Sequence, residues 1–344
     1  MTRKNQSMIP DLYADPFGER SPTLREHLQL LGARFLFESN SRQLLHLVES
    51  AYGGLPRHRL SEVKPRLTVR LHLTSAGAHS RRRLEPPPFN MISGGSFLGG
   101  ATRGSNFVVL SPQERLALVA VSPQMLQFPY HTRYELIEFA VFTLASRAQG
   151  LVSLHAACVG RRGRGILMMG PSGAGKSTVA LQCLLQGLDF LSEDAVFVAP
   201  DTLLATGIAN FLHVPANSLR WIGRNDAAAI RRSPVIRRRS GVEKFELDLR
   251  RDYRLAASPL QIGAVVFLSP KSAGSGPLLR PLSKSKLLAK LKDAQAYAAN
   301  QAEWPTFSKR VSRLDAFELY RGQHPLESVE ILRALLDRRT QECA

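Results

Sequence analysis

The stretch GILMMGPSGAGKST, residues 165–178, constrains the chain more than any other. Gly170, Gly175, Lys176 and Ser177 satisfy G-x-x-x-x-G-K-[ST], the pattern of a phosphate-binding loop. The spacing has a physical cause. Glycines let the backbone turn tightly, so that successive N–H groups converge on an anion. A helix opening at Lys176 adds the positive end of its dipole. The apolar run before the loop predicts a strand, which is the context such a loop requires. Gly170, Pro171, Ser172, Gly173, Ala174, Gly175, Lys176, Ser177 and Thr178 are therefore candidate contacts to a nucleoside triphosphate. Lys176 would reach the β- and γ-phosphates, and Ser177 would offer its hydroxyl to Mg²⁺. Thr178 equally suits a plain helix N-terminal position. The bland alternative is a glycine-rich turn that holds nothing.

The chain must also use what it holds. Downstream lies Ser192-Glu193-Asp194, in a turn between two apolar runs. Adjacent carboxylates one helix past a phosphate loop can divide labour. One would hold Mg²⁺ while the other takes the proton of an attacking hydroxyl. A solvated acidic turn is the competing reading. His155 stands on an apolar strand before the loop, where a satisfied core histidine is the commoner outcome. His213 is similarly ambiguous, and His324, in RGQHPLES, reads as a helix-start residue.

Composition narrows the partners. The 344 residues carry 46 Lys+Arg against 28 Asp+Glu, a net charge of +18. Such a balance favours phosphorylated ligands, an acidic protein, nucleic acid or an anionic membrane. Much of the excess sits between Arg220 and Arg254. That segment is either a solvated loop or a clamp for phosphates or an acidic acceptor, since the arginine fork binds either in two hydrogen bonds. Lys244 opens a predicted strand there and would point at the γ-phosphate. No aromatic-basic stacking pattern argues for nucleic acid. Cys158, Cys183 and Cys343 form no C-x-x-C pair, so a reducing, cytoplasmic setting is expected. Neither a signal peptide nor a membrane span is predicted.

Along the chain, residues 1–22 read as a flexible arm, 23–150 as an accessory or substrate-selecting α+β domain, and 151–344 as the ATP-binding domain. Residues 24–51 are predicted as one or two helices, from Leu28, Leu31, Phe35, Leu44, Leu45 and Val48. Strands are expected at 67–73, 107–110 and 116–121, and a helix over 132–150. SAGAHSRRRLEPPP is expected to be a basic loop. From 151 onward, strands with interspersed helices imply an α/β core with a mixed sheet.

Residues 151–198 together resemble the catalytic domain of HPr kinase/phosphorylase. That family carries an S-x-H strand, a basic turn, G-x-S-G-x-G-K-S, a helix ending in glycine, and a paired aspartate turn. Here Ser153 and His155 match the first element; Gly170, Ser172, Gly173, Gly175, Lys176 and Ser177 match the loop; Glu193 and Asp194 stand at the aspartates. Glu193 departs from the pattern and sets its carboxylate about 1.5 Å further out. The resemblance implies the nucleotide-binding fold shared with phosphoenolpyruvate carboxykinase and ATP-dependent phosphorylation of a serine hydroxyl. It also makes His155 an active-site member. HPr kinases are hexamers, so it further implies a homo-oligomer. Three readings stand open. The first is an ATP- and Mg²⁺-dependent phosphotransferase on a peptide, protein or small hydroxyl acceptor. The second is a non-catalytic ATP-responsive module, and the third a nucleic-acid-dependent ATPase.

Overall fold

Alternate residues of a strand face opposite sides of its sheet, so an unbroken apolar strand needs cover on both. The residues RGILMM form the strand Arg164–Met169. Ile166 and Met168 pack with Val179, Ala180 and Cys183 of helix Lys176–Leu185 and with Val329 and Leu332 of helix Pro325–Arg338. Leu167 and Met169 face the other way, into a core with Leu287 and Leu291 of helix Lys284–Ala294 and Phe307 of helix Trp304–Val311. Strand Leu260–Ser272 alternates likewise, Val266 and Leu268 against Val265 and Phe267. Helices therefore cover both faces of one sheet in a mixed α/β fold.

This computed structural model describes residues 24–74, 85–94, 97–102 and 106–338. The expected arm, most of the basic loop and Cys343 lie outside them. Two compact units divide the chain. The smaller comprises residues up to His27, Leu36–Val48 and Thr68–Val141; the larger comprises Leu28–Phe35, Glu49–Leu67 and Phe142 onward.

The larger unit holds the nine-stranded sheet. Its path runs Asp189–Ser192, Ala157–Arg161, Arg164–Met169, Leu260–Ser272, Leu204–Gly207, Val196–Val198, Val152–Leu154. Asp315–Arg321 joins beside Leu260–Ser272 and pairs with Leu279–Pro281. Arg164–Met169, Leu260–Ser272 and Asp315–Arg321 form a parallel centre, Met168 opposite Val266 and Val266 opposite Phe317. Their carboxyl ends point the same way, and ligands of open α/β sheets bind outside such ends. A separate sheet, Phe211–Val214, Glu243–Asp248, Val235–Arg237, orders most of the arginine-rich segment with helix Arg224–Arg231. The segment is therefore a folded helix-and-strand piece and not a loop, although most of its arginines are exposed. Two of its arginines serve the fold. Arg250 pairs with Asp248 and donates to the carbonyls of Ser50 and Gly53, while Arg254 pairs with Asp189.

In the smaller unit, Phe107–Ser111 and Leu116–Val121 pair antiparallel as expected, and Thr68–Leu73 runs parallel to the second of them. The helix expected over 132–150 forms, opening with a π turn at Thr132–Ile137 and continuing as Glu138–Gln149. The helices expected before residue 40 do not form. Leu24–Leu30 and Ala33–Ser39 are strands, and a helix begins only at Arg42. The reason is Leu31-Gly32, whose φ values are 50° and 83°. Two left-handed residues make the tight turn that suits a hairpin's twist. The spacing of Leu28, Leu31 and Phe35 merely straddles that turn, while Ala33, Phe35 and Phe37 alternate into the core.

The buried His58 carries a pH test of the larger unit. Its Nε2 lies 2.8 Å from the Ala256 carbonyl and its Nδ1 2.7 Å from the Thr206 hydroxyl. A carbonyl only accepts, so Nε2 donates and, in the neutral ring, Nδ1 accepts from Thr206. Burial holds the pKa below the ordinary 6.5. The neutral ring's contribution is complete above the unfolded pKa near 6.5 and is lost as pH falls toward the lower folded value. Denaturation midpoints should fall as pH drops below 6.5, and less steeply in His58→Gln; matching slopes would dismiss His58 as the cause.

Candidate active site

The phosphate loop leaves the parallel centre at Met169 and turns at once. Gly170 has φ 153°, and a Cβ there would stand 2.6 Å from the Leu268 carbonyl oxygen, so the neighbouring strand leaves room for no side chain. Gly173 and Gly175 hold φ 78° and 100°, where glycine alone is unstrained. A Cβ on either would meet nothing within 4 Å, so that side of the loop is open. No side chain caps helix Lys176–Leu185. Its first-turn N–H groups and dipole face a cavity of about 500 Å³.

Every sequence candidate except Gly170 lines this cavity: Pro171 to Thr178, His155, Glu193, Asp194 and Lys244. Gly170 acts from beneath, its carbonyl accepting from Lys176 Nζ at 2.7 Å. Burial draws the Lys176 pKa down, while Asp194 and, less strongly, Glu193 draw it back up. Thr178 shares a 2.8 Å hydrogen bond with Ser218, which ties the segment after Val214 to the loop helix. Arg321, at the end of its parallel strand, donates to the Gly173 carbonyl at 2.5 Å.

The acidic pair arrives by a crossing of the sheet. Asp189–Ser192 lies at one end of the strand path and Val196–Val198 near the other, with Glu193 and Asp194 between them. Gly207 permits the crossing; a Cβ there would stand 2.8 Å from the Leu191 carbonyl oxygen. The two carboxylates then differ. Glu193 is 9% exposed and accepts from the backbone N–H of His213 at 3.2 Å. Asp194 is more open and accepts from His155 Nδ1 at 2.9 Å. Asp194 acts on Lys176 more strongly than Glu193 does, and the order reverses at Lys244.

One participant, Gln295, carried no sequence signal. Gln295 brackets His155, accepting from its N–H at 2.8 Å and donating to its carbonyl at 3.0 Å. His213 places Nε2 3.3 Å from Glu246 Oε1 and receives Arg238 at Nδ1, 3.4 Å away. Of the arginine-rich segment, Arg220 and Arg238 reach the cavity. Arg238 Nε is buried without a hydrogen-bond partner, and Lys244 is desolvated beside it. Two like charges in one cavity wall want an anion between them. His324, read as a helix-start residue, has that role: its Nδ1 accepts from Leu326 N–H and its own N–H donates to Glu327. Its ring also lines the cavity.

These residues suit a triphosphate with a hard cation. The open loop face, uncapped helix and surplus of cations match polyphosphate. Ser177 and Asp194 offer the oxygen donors that Mg²⁺ prefers. No cluster of three His, Cys, Asp or Glu able to hold a metal occurs among the described residues. The remaining ligands would therefore come from phosphate and water. Among the described residues no cysteine lines the cavity: Cys158 and Cys183 are buried, and burial pushes the Cys183 thiol up to about 12.

The Asp194 hydrogen bond holds His155 above the usual histidine range, against the pull of burial. In metal-free protein, NMR titration should find His155 above 6.5, falling in Asp194→Asn because the charge favouring imidazolium is gone. An unmoved titration in that variant would break the pairing.

No protein-family model matches the chain. No curated protein matches it either. Among solved structures, the HPr(Ser) kinase/phosphatase from Coxiella burnetii is similar with 12% identity, over 56% of this chain and 99% of that one, at a TM-score of 0.29. A likeness at that score carries no argument. Among the described residues no helix is long and apolar enough to cross a membrane.

Proposed function

We propose that the chain is an ATP- and Mg²⁺-dependent phosphotransferase acting on a hydroxyl acceptor, a serine side chain or a small alcohol. One observation carries the reading: a phosphate-loop lysine and two unlike adjacent carboxylates line the same cavity. In an in-line transfer the bond from the γ-phosphorus to the bridging oxygen breaks. A bond to the acceptor oxygen forms, and the acceptor proton must leave. Lys176 and the loop N–H groups stabilise the phosphate charge. Ser177 and Asp194 would hold Mg²⁺, which would supply positive charge against the phosphates. Glu193, buried and held by the His213 N–H, takes the proton. His155 steadies Asp194.

The burial of Glu193 and its bond to His213 N–H favour a second reading, an ATP-responsive module in which the carboxylate is structural. Incubation with Mg²⁺, γ-labelled ATP and serine-bearing peptides or small alcohols separates the two. Label on a hydroxyl, absent with Lys176→Ala, is the expected result. Saturable ATP binding without label on any acceptor would favour the module.

A further inference from the structure

The same cavity is also lined by residues the phosphate chemistry does not use. Trp221 and His324 stand there with ring centroids 5.2 Å apart and planes at 90°. Two perpendicular aromatic rings make a right-angled corner. A flat heteroaromatic ring can lie face to face on one and meet the edge of the other. Arg220 lies over the indole, its guanidinium carbon 4.7 Å from the ring centroid, and the side chain is exposed. It can therefore close over a ring laid in the corner.

Both rings are referenced to the phosphate loop. Gln182, on the loop helix, donates to the Trp221 carbonyl at 2.7 Å, and Thr178 holds Ser218 in the same segment. His324 is oriented by its cap: Leu326 N–H donates to Nδ1 at 3.1 Å, which leaves Nε2 to carry the proton of the neutral ring. Exposed polar amides, Asn217 and Gln323, share the wall and offer both donors and acceptors.

We propose that the Trp221–His324 corner is the nucleobase site of the bound nucleoside triphosphate, with Arg220 as its cover. The assignment rests on the nucleotide reading above and adds the end of the ligand that the loop does not touch. Stacking is tolerant of base identity, because every base has a π face. ATP and GTP are therefore expected to bind within a few-fold of each other.

The test compares ATP with inorganic tripolyphosphate, which has the phosphates and no base, by titration calorimetry with Mg²⁺. Wild-type protein should bind both, ATP more tightly. Trp221→Ala should weaken ATP by about tenfold or more and leave tripolyphosphate unchanged. Trp221→Phe keeps a stacking face and should retain most of the ATP affinity. His324→Asn keeps a side-chain acceptor at the helix start while deleting the ring, and should weaken ATP alone. Unaltered ATP affinity in Trp221→Ala and His324→Asn, or an equal loss of both ligands, overturns the assignment. If wild-type protein binds neither ligand, the phosphate site itself is wrong and the base site falls with it.

Discussion

Lys176→Ala is expected to lower phosphoryl transfer by about 10³-fold, the scale of removing one preorganised donor from a developing charge. The ammonium is partly buried and hydrogen-bonded to the Gly170 carbonyl beneath the loop. Desolvation lowers its pKa while the two carboxylates raise it, so the residue balances local charges as well as reaching phosphate. Alanine removes both services. Glu193 and Asp194 would then face an incoming polyphosphate without the cation between them, and repulsion adds to the lost contact. Nucleotide affinity and turnover should fall together. Stability should not follow, since one hydrogen bond contributes only about 1 kcal/mol. Lys176→Arg is not expected to rescue, because a planar fork does not replace a compact point charge in a loop this close. Labelled-transfer kinetics alongside thermal melts check this. Turnover within about threefold of wild type at equal melting temperature would take Lys176 out of the phosphate site.

At Glu193, glutamine should cost about 10²- to 10⁴-fold in turnover. Glutamine preserves shape and still presents an oxygen to His213 N–H, so nucleotide affinity should hold while proton acceptance is lost. Aspartate keeps the charge but draws it back by one methylene, about 1.5 Å, and gives up the reach to His213 N–H. Misplacement of that size is expected to cost on the order of 10²-fold. The predicted order is wild type, then Glu193→Asp, then Glu193→Gln, at nearly constant ATP affinity. A glutamine variant as fast as wild type would assign Glu193 to structure and pass the proton to another group.

Local signals read well where the pattern was local. The loop's glycines and lysine lie within a few residues of one another, and their conformation follows from backbone freedom alone. The strand at 67–73 was equally legible, because its apolar residues alternate and a strand's two faces are written in successive residues. Residues 24–39 misled for the same reason. Their apolar spacing fits a helix until Leu31-Gly32 is recognised as a hairpin turn. The arginine run looked like one feature and is several: Arg250 and Arg254 bind the fold together, while Arg220 and Arg238 enter the cavity.

From the sequence alone came the anion-binding loop, the carboxylate pair after it and the apolar strand that carries them into an α/β core. Each depends on neighbours in the chain. Tertiary structure decided what holds each carboxylate, His155 Nδ1 for Asp194 and the His213 N–H for Glu193. It set Gln295 against His155 across 140 residues, and it brought His324 onto Trp221. Those pairings depend on how a sheet crosses itself and where helices land on it. Packing of the whole unit determines that geometry, and no short stretch encodes it.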